Sequence, residues 1–339
     1  MKNLCWISKI KKSISVTPSR GRRRRHRRAI STFESLEARN LLASVSFNAG
    51  DGSLAFVADA GQADVVDVSA PTATSLQIQV GNGDSISLLG DAAGDAAFVL
   101  SQTNVANDTL TIDVGNALVS SLTFDLLDLD DVFSVTGLAG ITDLSVVGGT
   151  GNDTLDASAI STGVQFFGGG GGDQLTGGSG DDLLAGGGGT DIISGGLGID
   201  TNSFQGIGFG VTATVAADGT GTASYGPVNE TFSGIENLTG SDNDDVLTAT
   251  GAAANVLLGG DGNDILAGGG GTDVIDGGAG IDTNSFQGIG FGVTATVAAD
   301  GTGTASYGPV NETFAGIENL TGSDNDDICL LYTSDAAGE

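Results

Sequence analysis

Eight times between Gly148 and Asp282 the chain spells G-G-x-G-x-D, starting at Gly148, Gly168, Gly177, Gly186, Gly195, Gly259, Gly268 and Gly277. The four windows from Gly168 follow one another every nine residues, as do the three from Gly259. A strict nine-residue phase fits neither the helix period nor the alternation of a long strand. Two residues past the aspartate stands an aliphatic side chain: Leu155, Leu175, Leu184, Ile193, Leu266 and Ile275. It fails only at Asn202 and Asn284, the last copy of each run. Such a nonapeptide reads as a six-residue turn and a three-residue strand, with position eight pointing inward. One copy alone has nothing to bury that side chain against, so copies must stack into a coil. The expected fold is all-β, a parallel β-roll or β-helix.

Charge divides the chain into two unlike parts. All 12 Lys and Arg lie between Lys2 and Arg39, with only Glu34 and Glu37 among them, so the head carries +10. From Asn40 onward 40 of the 42 acidic residues follow and no basic one, and the single histidine, His26, is in the head. Such a body cannot neutralise itself by ion pairing, and its self-repulsion opposes compaction. Glycine, 58 residues in all, adds an ordering cost. A Gly/Asp-rich run is ordinarily a flexible linker, but strict phase with an aliphatic position eight argues against that here. A cation must complete the fold. Without histidine, and with Cys5 and Cys329 the only cysteines, the body has no His-ligated zinc, Ser-His-Asp or Cys-His centre, or disulfide framework. Glycine loops also cradle phosphate, yet an array without Lys or Arg repels it. No apolar run approaches the length of a membrane span.

The donors select the cation. Position six supplies a carboxylate, and the glycines leave carbonyl oxygens facing inward. Two repeats complete one coil, so repeats n and n+2 stack on one edge about 4.8 Å apart. Ca²⁺, held by oxygens at about 2.3–2.6 Å, fits midway between stacked turns, whereas the bonds of Mg²⁺, about 2.0–2.1 Å, are too short. Several Ca²⁺ ions are therefore the expected cofactors. The predicted carboxylate ligands are Asp153, Asp173, Asp182, Asp191, Asp200, Asp245, Asp264, Asp273 and Asp282. The predicted glycine positions are Gly148, Gly168, Gly170, Gly177, Gly186, Gly188, Gly195, Gly259, Gly268, Gly270 and Gly277. Stacking pairs Asp173 with Asp191, Asp182 with Asp200, and Asp264 with Asp282. Further pairs are Asp153 with Asp173, Asp245 with Asp264, and Asn255 with Asp273. By this rule Asp264 has a neighbour on both sides, Asp245 and Asp282, whereas Asp282 has one.

With these residues the chain resembles the RTX (repeats-in-toxin, hemolysin-type) calcium-binding β-roll family over about residues 148–327. The resemblance implies a secreted or cell-surface protein that folds on meeting extracellular calcium. It also implies a structural, adhesive role, with cell-surface or matrix polymers as partners and no nucleic acid. Exoenzymes occur in the family too. The alternative is thus the non-catalytic RTX portion of a truncated peptidase, lipase or epimerase, and no catalytic residue is assigned.

Residues 186–245 recur as 268–327, displaced by 82 positions and differing at four. Each copy includes a non-repeat insert. In the first, residues 211–215 and 222–225 flank Asp218-Gly219, a hairpin signal, and residues 232–238 lead back into the repeat. Residues 234–240 (Gly-Ile-Glu-Asn-Leu-Thr-Gly) resemble connectors common in such bacterial exoproteins. Glu230 and Glu236, with their copies Glu312 and Glu318, could be proposed as a glycosidase carboxylate pair, but a solvated surface role is expected. Upstream, residues 76–80, 110–114, 122–124, 132–135 and 144–147 read as short strands. They suggest β-helix rungs leading into the array, with a small β-sandwich as the alternative. Asp128-Leu129-Asp130-Asp131-Val132-Phe133 looks like a decayed repeat with Leu129 where glycine belongs.

The ends read differently. Residues 22–28 are Arg but for His26, and Leu36-Glu37, Arg39 and Leu41-Leu42 resemble the LEPR-XLL region of bacterial surface proteins, with Ala38 where that family has proline. The resemblance implies export or surface sorting. A nucleic-acid-binding arm is the competing reading of the Arg run, but the acidic body repels phosphate. Residues 329–339 resemble a translated sequencing adapter, which places the natural C-terminus elsewhere. The expected organisation is a basic, disordered sorting head (1–46), a β-rich region (47–147), a first array (148–203), a hairpin insert (204–239) and a second array (240–285). A second insert with the start of a third array (286–328) and a non-native tail (329–339) follow.

Overall fold

The computed structural model describes residues 43–48, 53–57, 65–72, 75–80, 86–88, 97–101, 108–113, 121–136 and 142–332. The disorder and sorting roles expected of the head concern residues that, up to 42, lie outside the described ones. Among the described residues there is no helix, and thirty strands form two sheets of fifteen. From residue 121 the chain winds between the two sheets, and strands one coil apart pair in parallel. Strand Val164–Gly170 pairs with Leu183–Gly188, placing Phe166 opposite Leu184. Across the roll, Gln174–Thr176 pairs with Ile192–Ser194, placing Leu175 opposite Ile193. Both registers step 18 residues, two nonapeptides to the coil.

Position eight forms the interior. Leu175, Leu184, Leu266 and Ile275 are buried, while the preceding Ile192 and Val274 face outward. Whether its strand is short, as Gln174–Thr176, or longer and running on into glycine, as Leu183–Gly188, each nonapeptide turns one large side chain inward, so the array has a thin core. The coils before it are thicker. Phe124, Phe133 and Phe166 are buried in sequence along the roll, with ring centroids 4.9 Å and then 6.0 Å apart. Here the coils step 22 residues, as Leu122 opposite Leu144 shows.

The region upstream of residue 121 combines two patterns. Ser53–Val57 and Val65–Thr72 pair in parallel with Ser121–Asp125 and Val132–Thr136, as rungs do. Antiparallel strands are added beyond them: Ala43–Asn48 on Ser53–Val57, and Ser75–Val80, Asp108–Asp113 and Ala97–Ser101 in series on Val65–Thr72. Neither uninterrupted rungs nor a separate sandwich describes it. The G-G-x-G-x-D repeat is absent from the sequence here.

Each insert is a three-stranded antiparallel meander, one strand more than the expected hairpin. Val211–Ala216 pairs with Gly221–Tyr225 around the Asp218-Gly219 turn, and Gly221–Tyr225 pairs with Val228–Ser233. The outer strands continue the sheet, Val228–Ser233 in parallel with Ile192–Ser194 and Val211–Ala216 in parallel with Val246–Thr250. The second insert, from Thr294–Ala298 to Val310–Ala315, does the same in the opposite sheet. The 82-residue unit crosses the roll an odd number of times, so successive inserts widen opposite sheets.

Candidate metal centre

The turns carry position six into two columns along the edges of the roll. Each aspartate presents its carboxylate to the main chain of the preceding coil. The amide of Asp153 donates to Asp173 Oδ1, that of Asp173 to Asp191 Oδ1, and that of Asp182 to Asp200 Oδ1, each at 2.8 Å. In the second array the amides of Asp245 and Asp264 donate to Oδ1 of Asp264 and Asp282 at 2.8 Å, and that of Asn255 to Asp273 Oδ1 at 2.9 Å. The structure thus brings together every pair that the stacking rule names. These aspartates are buried.

The other oxygen is left over. Oδ2 of Asp153, Asp173, Asp191, Asp200, Asp264, Asp273 and Asp282 is buried and finds no hydrogen-bond donor. Asp182 and Asp245 differ, because their Oδ2 atoms accept the amides of Gly178 and Ser241 at 2.7 and 2.6 Å. A buried acceptor without a partner costs about 1–3 kcal/mol, and more when charged. Burial raises the carboxyl groups of Asp173 and Asp200 to about 7 and those of Asp264 and Asp273 to about 6. The amide bonds to the carboxylates oppose this shift, and for Asp173, Asp200 and Asp264 neighbouring carboxylates add to it.

The first glycine of each turn shows where these oxygens point. A Cβ on Gly168 would strike both Asp173 Oδ2 and the carbonyl oxygen of Gly186, one coil further on. Gly148, Gly177 and Gly259 meet the same combination, from Asp153 with Gly168, Asp182 with Gly195 and Asp264 with Gly277. Gly186 and Gly268 likewise face Oδ2 of Asp191 and Asp273. A carboxylate oxygen and a carbonyl oxygen therefore converge at the junctions over Gly148, Gly168, Gly177 and Gly259, without a cation from the protein. Among the described residues no three His, Cys, Asp or Glu side chains gather at one point. The donor set, hard oxygens shared between side chain and backbone, suits a calcium ion.

Besides the first position, glycine is required at positions two and four of the motif, which the predicted glycine positions omit. Gly169 and Gly171 have φ of 108° and 145° and pack on carbonyl oxygens of the preceding coil, those of Gly149 and Gly151. Gly170 has open space where its Cβ would be, and Gly188 has only a carbonyl 3.9 Å away. Gly170 and Gly188 serve through their carbonyls instead, accepting the amides of Gly151 and Gly171 at 2.8 and 2.7 Å. Gly270 is the tighter case, its Cβ position 2.9 Å from the carbonyl oxygen of Gly251. The decayed repeat keeps the same turn without glycine. Leu127 and Leu129 take φ of 75° and 76°, at about 1–2 kcal/mol each, and Asp131 continues the column by donating its amide to Asp153 Oδ1 at 2.8 Å.

Two of the four insert glutamates, Glu230 and Glu312, are not the solvated surface groups expected of them. Glu230 is 1% exposed, its Oε1 accepting Asn202 Nδ2 at 2.9 Å and its Oε2 accepting the Tyr225 hydroxyl at 3.2 Å. Glu312 repeats this with Asn284 and Tyr307 at 2.7 and 3.0 Å. Burial raises both to about 7. This explains why position eight fails at Asn202 and Asn284, whose inward amides meet an inward carboxylate. Glu236 is half-buried and Glu318 exposed, and each accepts a main-chain amide at 2.9 Å, from Asp200 and Asp282. Asp282 therefore has a second neighbour, Glu318, which the nonapeptide rule alone does not supply.

The model of the RTX calcium-binding nonapeptide repeat matches the chain in four copies, over residues 145–159, 167–201 and 249–283. No curated protein matches the chain.

Proposed function

Starting from the RTX calcium-binding repeats that make this chain a calcium-binding repeat protein, we propose that Ca²⁺ occupies the coil junctions and drives the roll to fold after export. The observation that carries this reading is the row of buried Oδ2 atoms without donors, of which those of Asp153, Asp173, Asp200, Asp264 and Asp282 each converge with a carbonyl oxygen of the next coil. Asp153, Asp173, Asp182, Asp191, Asp200, Asp245, Asp264, Asp273 and Asp282 supply the carboxylates. The first glycine of each turn supplies a carbonyl and the space for the ion.

Function then follows from charge. In a low-calcium compartment the acidic body repels itself. Where calcium is millimolar, sites of the extracellular class, with affinities of about 10⁻⁴–10⁻³ M, fill and stabilise the coil. The repeat region is a structural calcium-binding domain, not a catalytic one. Its role is that of a rigid spacer or adhesive surface outside the cell, with surface or matrix polymers as partners. The head's resemblance to a sorting region supports export. Among the described residues no helix is long and apolar enough to cross a membrane.

Circular dichroism of the full chain tests the reading. β signal is expected to be small in chelator and to rise cooperatively on calcium titration, with magnesium far less effective. Equal β content with and without calcium overturns it.

A further inference from the structure

The first array does not stop at its last nonapeptide. Asp182 and Asp200 define the regular junction: the Asp182 amide donates to Asp200 Oδ1 at 2.8 Å, while Asp182 Oδ2 and the Gly195 carbonyl converge over Gly177. One coil on, the same positions are filled from the insert. The Asp200 amide donates to Glu236 Oε2 at 2.9 Å, and Asp200 Oδ2 and the Gly234 carbonyl converge over Gly195. Main-chain pairing continues as in a true repeat, Thr201 opposite Asn237 and Asn202 opposite Leu238.

The turn that achieves this is shorter. Five positions separate Gly195 from Asp200, but two separate Gly234 from Glu236. The extra methylene of glutamate compensates, carrying a carboxylate from the clipped turn to the amide that an aspartate serves elsewhere. Asp200 Oδ2, on a side chain 0% exposed, has no donor. The second copy repeats each element: Asp282 amide to Glu318 Oε2 at 2.9 Å, Asp282 Oδ2 and the Gly316 carbonyl over Gly277, and Asp282 0% exposed with Oδ2 unbonded. After Glu236 the run of carboxylates is interrupted, because the next member is Asn255, whose side-chain amide donates to the Glu236 carbonyl, and charge returns only at Asp273.

We propose that Glu236 and Glu318 are calcium ligands, each ending an unbroken run of carboxylates by holding one further ion against Asp200 or Asp282. The assignment rests on the calcium reading above and extends it to residues outside the nonapeptide pattern. The clipped Gly-Ile-Glu turn is then a terminal calcium site that lets the roll pass into an insert.

Calcium bound to the full chain, counted by equilibrium dialysis at saturating calcium, tests this. Glutamine keeps the length and can still accept the Asp200 amide, so Glu236→Gln preserves the hydrogen bond while removing the charge. Glu236→Gln is expected to bind one ion fewer than the wild-type chain, and Glu236→Gln with Glu318→Gln two fewer, with β circular dichroism retained. Unchanged ion counts in both variants overturn the assignment and leave calcium binding by the aspartates intact. A wild-type chain that takes up no calcium sinks the calcium reading itself. If Glu236→Gln does not fold at saturating calcium, Glu318→Gln is counted in its place, and loss of one ion or of none decides in the same way.

Discussion

The nonapeptide arrays and the meander inserts share the same two sheets, yet they handle buried carboxylates in opposite ways. In the array, Asp173 and Asp264 each keep a buried oxygen with no donor. In the insert, both oxygens of Glu230 are bonded, one to an amide and one to a hydroxyl. The cores differ likewise. A nonapeptide buries one aliphatic side chain, whereas one insert buries Val211, Val215, Tyr225, Phe232 and Ile235. The insert stabilises itself by burial and neutral donors, whereas the array leaves buried charge that, on the proposed reading, an ion from outside meets. The proposed calcium dependence is therefore local to the turns and not to the sheets.

The largest effect should come from the insert's core. Phe232→Ala should cost about 3–5 kcal/mol, read as a lower melting temperature at saturating calcium. A loss under about 1 kcal/mol would mean that the insert is not packed as described.

Next is the array's dependence on charge. Asp173→Asn keeps the shape but removes a charge that faces Asp153 and Asp191. The calcium midpoint for folding should rise at least as much as when an outer partner of a metal ligand is lost, about 10–100-fold. An unchanged midpoint would remove Asp173 from the ligand set.

Acidity should act in opposite directions with and without the ion. Carboxyl groups raised to about 6 or 7 in the calcium-free fold bind protons more tightly there than in the unfolded chain. Their contribution to stability is therefore complete below the unfolded value of about 3.9 and is lost as pH rises through 6–7. In chelator, β signal should be greater at pH 5 than at pH 8. With calcium present the midpoint should rise on acidification, because protons and ions compete for one oxygen. A midpoint independent of pH would argue against carboxylate ligation.

The smallest effect belongs to Glu230→Gln paired with Glu312→Gln. Their partners are neutral donors, so the calcium midpoint should stay within about twofold and stability within about 1.5 kcal/mol. A large shift in the midpoint would place these two residues at an ion and erase the contrast between array and insert.

Much of this is legible in the amino-acid sequence. Phase, the aliphatic position eight and the absence of basic residues after Arg39 lead to the roll, the stacked pairs and a cation. The remaining features are hidden for identifiable reasons. The strand Val228–Ser233 has Glu230 at an inward position, which breaks the apolar alternation that signals a strand. Glu236 reaches its column across a turn too short for the nonapeptide template, so no pattern search finds it. Gly170 and Gly188 read as glycines of the ion site because the sequence does not separate a carbonyl turned to the ion from one that accepts an amide of the preceding coil. Upstream of residue 121 no repeat fixes the register, and the pairing changes between parallel and antiparallel.

Hydrogen exchange of the full chain, followed peptide by peptide with calcium and in chelator, tests the central claim most directly. Peptides within residues 168–200 and 259–285 should be protected in calcium and exchange at unfolded rates in chelator, with protection appearing together along each array as calcium is added. The same slow exchange in chelator as in calcium would show that the roll holds itself together without the ion, and would contradict the claim.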